Sequence, residues 1–251
     1  MISMKAFLLF VLVTFHPTKF VPLTVDSNNK ETEEAFISLS QYTLDLFTEI
    51  NDQHLSLEVF EIAVKGYSEL YLKNKLRNKK FLTIVDMSLS SNTERMFIID
   101  MEKRILVEKK LVAHGMKTGY EFASNFSNDQ SSHKSSLGFF ITGELYNGRH
   151  DLSMKLDGQE YSNDNARSRG LVVHSADYVS CEYIESNGRL GRSFGCPAID
   201  KEGYEETVNK LKGGSCYFIY YPSRSYLSHS KIVNSQKEFV LNKSGNVSFI
   251  E

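Results

Sequence analysis

The chain has 251 residues, 41% of them apolar and 24% charged, which is the balance of an ordinary globular protein with room for a sizeable core. Its 29 basic and 31 acidic side chains leave a formal net charge of -2, which argues against a broadly basic nucleic-acid binder. Trp is absent, so any carbohydrate contact has to come from Tyr, Phe or polar groups.

Lys5 precedes a mostly apolar run from Ala6 to Phe15. That is the size of a signal-peptide hydrophobic region and too short to span a bilayer, although a buried first strand would read similarly. The expectation is an exported chain with a signal peptide over residues 1–22, its cleavage point not legible. No later run approaches a membrane-spanning length.

Residues 23–79 read as a polar linker followed by helices. Val25 to Glu34 is polar and charged. From Glu34 to Ile50 the pattern is helical, with Phe36, Leu39, Leu44 and Phe47 as apolar anchors. A stronger helix follows, because Leu57, Phe60, Val64, Tyr67 and Tyr71 recur at spacings of three and four. Ser56 is placed to cap it, and Glu58 lies in its positive first turn. The helix is read as running into Lys73, Lys75, Arg77, Lys79 and Lys80, a solvated basic end that suits the negative helix terminus.

Residues 80–221 change to a strand-like pattern. Phe81 to Met87, Met96 to Asp100 and Ile105 to Val112 are apolar runs, the last two joined by a tight charged turn that predicts a hairpin. Gly119 to Ser136 is Ser/Asn-rich and reads as a long loop. Phe139 to Thr142 is a short strand, with loop expected from Gly143 to about Arg169. Leu171 to Val173 is a buried strand that ends at His174; Lys201 to Leu211 is a short helix stopped by Gly213-Gly214; Cys216 to Tyr220 is another buried strand. The tail, residues 222–251, carries one hairpin signal around Asn242 to Asn246. Many short strands and few helices point to a mainly β domain with N-terminal helices.

Three cysteines are present, Cys181, Cys196 and Cys216, and a bridge between the first and last stays open at this level. Cys196 stands in Arg192-Ser193-Phe194-Gly195-Cys196-Pro197. Gly and Pro on either side constrain the turn, which can present a thiol and aim backbone N–H groups at one point. A thiol with an ordinary pKa of about 8.5 is mostly protonated at neutral pH and needs a base or a positive neighbour. His174, at a strand end 22 positions upstream, is the candidate base. Arg189 and Arg192 are close enough in sequence to stabilise a thiolate or bind a carboxylate. A core Cys and a structural His remain the alternative.

No close His or Cys ligand pair indicates a metal, and no glycine fingerprint indicates a nucleotide, so no cofactor is expected. His114 reads as a strand-end hydrogen-bonding group, while His133 and His150 read as solvated loop residues.

The stretch LVVHSADYVSCEYIESNGRLGRSFGCPAI, Leu171 to Ile199, resembles the murein L,D-transpeptidase catalytic domain family (YkuD-like), in its branch with a Gly-Arg-Ser-aromatic-Gly-Cys-Pro motif. Val112-Ala113-His114-Gly115, Ser135-Ser136-Leu137-Gly138-Phe139-Phe140 and Asp164-Asn165-Ala166-Arg167 resemble its upstream segments, and the likeness covers roughly Leu57 to Tyr220. The resemblance implies a mainly β, L,D-transpeptidase-like sandwich or barrel with N-terminal α-helices. It implies Cys196 as nucleophile and His174 as base, the imidazole being oriented by a backbone carbonyl. Gly195 and Ser193 would support the oxyanion turn, and Arg192 or Arg189 would bind substrate. Typical members carry an Arg after the Cys; here Pro197 and Ala198 follow, which bears on specificity.

The implied partner is the peptidoglycan stem peptide, with no nucleic acid, no metal and no stable membrane span in the mature chain, in the periplasm or cell envelope. An L,D-carboxypeptidase or cysteine peptidase with the same site, and a non-catalytic wall-binding module of the same fold, are the alternatives.

Overall fold

The computed structural model describes residues 37–149, 151–236, 239–241 and 247–249. The expected signal segment, His150 and residues 242–246 lie outside them.

Strand β1 (Ile37–Ser38) leads into α1 (Leu39–Ile50), whose first turn is closed by the Ser38 hydroxyl accepting from the Gln41 N–H. Helix α2 (Leu57–Leu72) is capped in the same way, with Ser56 Oγ accepting from Val59 N–H. Its buried face carries Val59, Phe60, Ala63, Val64, Tyr67 and Leu70. This is broader than the sequence ridge, and Leu57 and Tyr71 sit at its margins. The basic run is not a helix end. Helix α2 stops at Leu72, and the run forms the connection to the sheet. Lys73 pairs with Glu69 at 2.7 Å, and the Lys79 ammonium lies 3.9 Å from the centre of the Tyr71 ring.

The sheet opens with β2 (Phe81–Asp86), β3 (Met96–Asp100), β4 (Ile105–Lys110) and β5 (Val112–Ala113). It continues through β6 (Gly138–Gly148), β7 (Asp151–Gly158) and β8 (Val172–Ser175). After helix α3 (Cys181–Asn187) come β9 (Ala198–Ile199), helix α4 (Tyr204–Leu211) and β10 (Cys216–Tyr220). These strands form one nine-stranded sheet in the order β4-β3-β2-β10-β6-β7-β8-β9-β5 that curls into a nearly closed barrel. Neighbours are antiparallel except β2 with β10 and β8 with β9. Strands β2, β3 and β10 are buried along their whole length, which explains their unbroken apolar runs. The fold is mainly β with N-terminal helices, as the sequence indicated.

The first part of the expected loop, up to Gly158, is instead the long β6–β7 hairpin, with an irregularity between Thr142 and Leu145, while Gln159 to Arg169 is loop and turn as expected. The hairpin's polar composition hid it. Glu144 pairs with Lys155 across the hairpin at 2.8 Å and with Arg167 at 2.9 Å, so charged residues line its outer face. Beyond β10 the tail adds helix α5 (Arg224–His229) and strands β11 (Phe239–Leu241) and β12 (Val247–Phe249). The last two pair antiparallel on either side of the hairpin signal, and β11 also pairs with β1. All three cysteines are free, with Cys216 buried in β10 and Cys181 exposed, so the Cys181–Cys216 bridge is not formed.

Candidate active site

Parallel pairing of β8 with β9 sets His174 opposite Ala198, two residues beyond Cys196. The sequence separation of His and Cys thus collapses to neighbouring strand ends. The imidazole is 1% exposed, and its Nδ1 stands 2.9 Å from the carbonyl oxygen of Ser175. A carbonyl can only accept, so Nδ1 carries the proton and Nε2 is the basic nitrogen.

Cys196 is half-buried, with Sγ 3.8 Å from the Gly170 carbonyl oxygen. Burial pushes its thiol above the ordinary cysteine range; the Val172 backbone N–H, the Arg169 charge and its own N–H pull the other way. Tyr178 lies close by, its phenol pushed up to about 12 by burial and by the Cys196 charge.

The turn that carries Cys196 is tied by one hydroxyl. Ser193 Oγ accepts from Gly195 N–H at 3.0 Å and donates to the Cys196 carbonyl at 2.6 Å. The Gly195 amide is thereby occupied, which leaves the Cys196 and Val172 amides as the N–H groups facing the sulfur. Gly195 itself has φ +127°, and a Cβ there would stand 2.8 Å from the Lys134 carbonyl oxygen. Ser135, 1% exposed, links the neighbouring loops: its hydroxyl accepts from Gly115 N–H at 3.0 Å and donates to the Gly195 carbonyl at 3.1 Å.

The arginines near the site take different places. Arg192 donates to the Met116 and Gly119 carbonyls at 3.0 and 2.9 Å, and its guanidinium lies 4.6 Å from the centre of the Tyr120 ring. Arg189 lies 4.8 Å from the same ring. Both organise the loop after β5. The guanidinium whose charge reaches Cys196 is that of Arg169, five residues before His174. It donates to the Ser127 and Lys134 carbonyls, each at 2.9 Å, and to Ser132 Oγ at 3.1 Å. Nothing in its sequence context marked it, because its partners come from a loop some forty residues away.

His114, at the end of β5, is 1% exposed, and its Nδ1 accepts from Arg95 Nη2 at 2.8 Å. Arg95 is fully buried and donates also to the Val112 carbonyl at 2.9 Å. Burial and this positive neighbour hold the His114 pKa down at about 4. His133 lies in the loop before β6, as expected. It is half-buried, with its ring 4.7 Å from that of Phe194, which is 65% exposed beside the Cys196 turn. Among the described residues no group of three His, Cys, Asp or Glu side chains could hold a metal ion.

A family model described as the L,D-transpeptidase catalytic domain matches residues 51–220, the helix-to-β10 span that holds every residue of this site. The chain belongs to the L,D-transpeptidase catalytic domain family.

Among solved structures, it is similar to an L,D-transpeptidase from Mycobacterium smegmatis, with 12% identity over 57% of this chain and 59% of that one and a TM-score of 0.37. An L,D-transpeptidase from Mycobacterium tuberculosis gives 14% identity over 57% and 58%, with a TM-score of 0.34. The helical cell shape determining protein Pgp2 from Campylobacter jejuni gives 14% identity over 67% and 59%, with a TM-score of 0.37. The chain spans about three fifths of the length of these structures. No curated protein matches it. The site brings the Cys196 thiol, an imidazole whose Nδ1 is held by a carbonyl, and backbone N–H groups together around one turn.

Proposed function

We propose that this chain is an exported cysteine acyltransferase of the cell envelope that acts on peptidoglycan stem peptides. The observation that carries the reading is the Ser175 carbonyl at 2.9 Å from His174 Nδ1, on the strand beside the Cys196 turn. It fixes the tautomer that a general base requires.

In this reading Cys196 Sγ attacks the carbonyl between the third stem residue, a diamino acid, and the terminal D-residue. The thiol proton passes to His174 Nε2 as the C–S bond forms. The Cys196 N–H supports the oxyanion, a contribution of about 3 kcal/mol per donor in comparable sites. When the tetrahedral centre collapses, the C–N bond breaks and His174 returns its proton to the leaving amine. The thioester then passes to the amine of a second stem, which gives a cross-link; transfer to water would make the same site an L,D-carboxypeptidase. Ser193 and Gly195 hold the turn. Arg169 favours the thiolate that forms, and Arg192 with Arg189 shapes the loop that meets substrate.

The test is intact mass after incubation with a carbapenem, an acylating probe suited to this family's cysteine, beside Cys196→Ala. A single adduct lost in the variant supports the reading. A folded protein with a free, unacylated Cys196, and no product from stem peptides, favours a binding module of the same fold.

A further inference from the structure

A cavity of about 410 Å³ is built from segments that surround Phe126, Leu137, Tyr161 and Tyr221. This is an ordinary size for a small-molecule site. Its lining is chemically selective. Seven of its twelve residues are Ser or Asn, four are Phe or Tyr, and one is Leu. No Lys, Arg, Asp, Glu or His is among them, so neither an anion nor a cation would find a counter-charge. The abundance of hydroxyl and amide groups equally disfavours a purely apolar chain, whose burial would leave them unpaired. Flat apolar rings combined with neutral hydrogen-bonding groups suit a ligand with apolar C–H faces and a neutral polar edge, which is a sugar.

The walls are preorganised. The Phe126 and Tyr221 rings stand 4.8 Å apart at 43°. Asn128 Nδ2 donates to the Tyr161 carbonyl at 2.9 Å and to Asp164 Oδ1 at 2.6 Å. The Tyr161 hydroxyl donates to the Ser225 carbonyl at 3.2 Å, while the residue stays 51% exposed. Tyr226 is anchored below by donating to the buried Glu160 at 2.9 Å. Groups held in this way lose little freedom on binding.

One side chain connects this cavity to the thiol. Arg169 donates to the carbonyl of Ser127, a cavity residue, and to the carbonyl of Lys134, which packs against Gly195. We propose that the cavity bounded by Phe126, Tyr161 and Tyr221 is a saccharide subsite, occupied by the N-acetylated glycan of the same peptidoglycan whose stem peptide reaches Cys196. The choice of the wall glycan rests on the function proposed above; the neutral-sugar chemistry of the cavity does not. The subsite assigns a role to the chain beyond Tyr221, which supplies Ser223, Ser225 and Tyr226.

The test is saturation-transfer NMR on the full chain with the peptide-free disaccharide of N-acetylglucosamine and N-acetylmuramic acid, with chemical-shift mapping alongside. Transfer to sugar-ring protons is expected in the wild type and in Cys196→Ala, with shifts at Phe126, Tyr161 and Tyr221. Tyr161→Ala, with its Tm checked, should weaken binding at least about five-fold, as expected for loss of one stacking ring. Absence of transfer in the wild type, shifts confined to other residues, or undiminished binding by folded Tyr161→Ala would overturn the subsite. Transfer that persists in a folded protein whose Cys196 resists acylation and yields no product from stem peptides would remove the acyltransferase reading and leave the sugar subsite standing.

Discussion

His174 Nδ1 and the carbonyl oxygen of Ser175 lie 2.9 Å apart, so the backbone of its own strand helps orient the imidazole. This backbone partner cannot be removed by a side-chain substitution, so the ring itself is the test. His174→Ala should slow carbapenem acylation of Cys196 by about 10²–10⁴-fold, the range for loss of a positioned general base. Stopped-flow or timed mass measurements would show it, and an unchanged rate would remove His174 from the chemistry.

The Cys196 turn should tolerate little change. Gly195→Ala places a side chain at φ +127° with its Cβ 2.8 Å from the Lys134 carbonyl. Ser193→Ala removes both the acceptor of the Gly195 N–H and the donor to the Cys196 carbonyl. Each should lower acylation by more than tenfold. The Ser193 variant should also lose about 1–3 kcal/mol of stability, from one or two net hydrogen bonds. Denaturant titration beside the acylation rate separates the two effects; wild-type rates in both variants would contradict the turn's proposed role.

Arg169 and Arg192 should behave differently. A cation near the sulfur favours thiolate, so Arg169→Met should move the pH profile of iodoacetamide alkylation to higher pH, and Arg169→Lys should restore part of the shift. Arg192→Ala should leave that profile in place and raise KM for stem peptide, because its partners are Met116, Gly119 and Tyr120. If both variants shifted the alkylation profile equally, the division of labour would be wrong.

Stability should fall in acid through His114. Its folded pKa, about 4, is depressed below the ordinary value of 6.5 by burial and by Arg95. A depressed base contributes stability that is full above pH 6.5 and is lost as pH falls toward 4. The size is of the order of 3 kcal/mol, since each unit is worth about 1.4 kcal/mol. Thermal melts from pH 7 to pH 4 should show a steeper decline in wild type than in His114→Gln, and parallel curves would assign the acid sensitivity elsewhere.

The sequence carried the Cys196 turn and the His174 strand because both are short, contiguous patterns. Local residues supplied the capping of α2 by Ser56 and the limits of β3 and β10, and the structure agrees. Arg169, Val172 and the Arg95–His114 pair escaped notice because register and distant loops bring them together. The β6–β7 hairpin escaped for another reason. Its outer residues are held by ion pairs among Glu144, Lys155, Arg167 and Asp157, so an alternating apolar pattern is weak there.

The pairing of Ile37 with Leu241 joins the first described strand to one that lies within a dozen residues of the end of the chain. Synthesis has to pass β11 before the sheet that contains β1 can close. A contact of such large sequence separation forms late and slows folding. Ribosome stalling before β11, or its proteolytic loss, would therefore leave the edge of β1 unpaired at a place far from the break in sequence. Quality control in the cell would meet damage to one strand as an open edge on another.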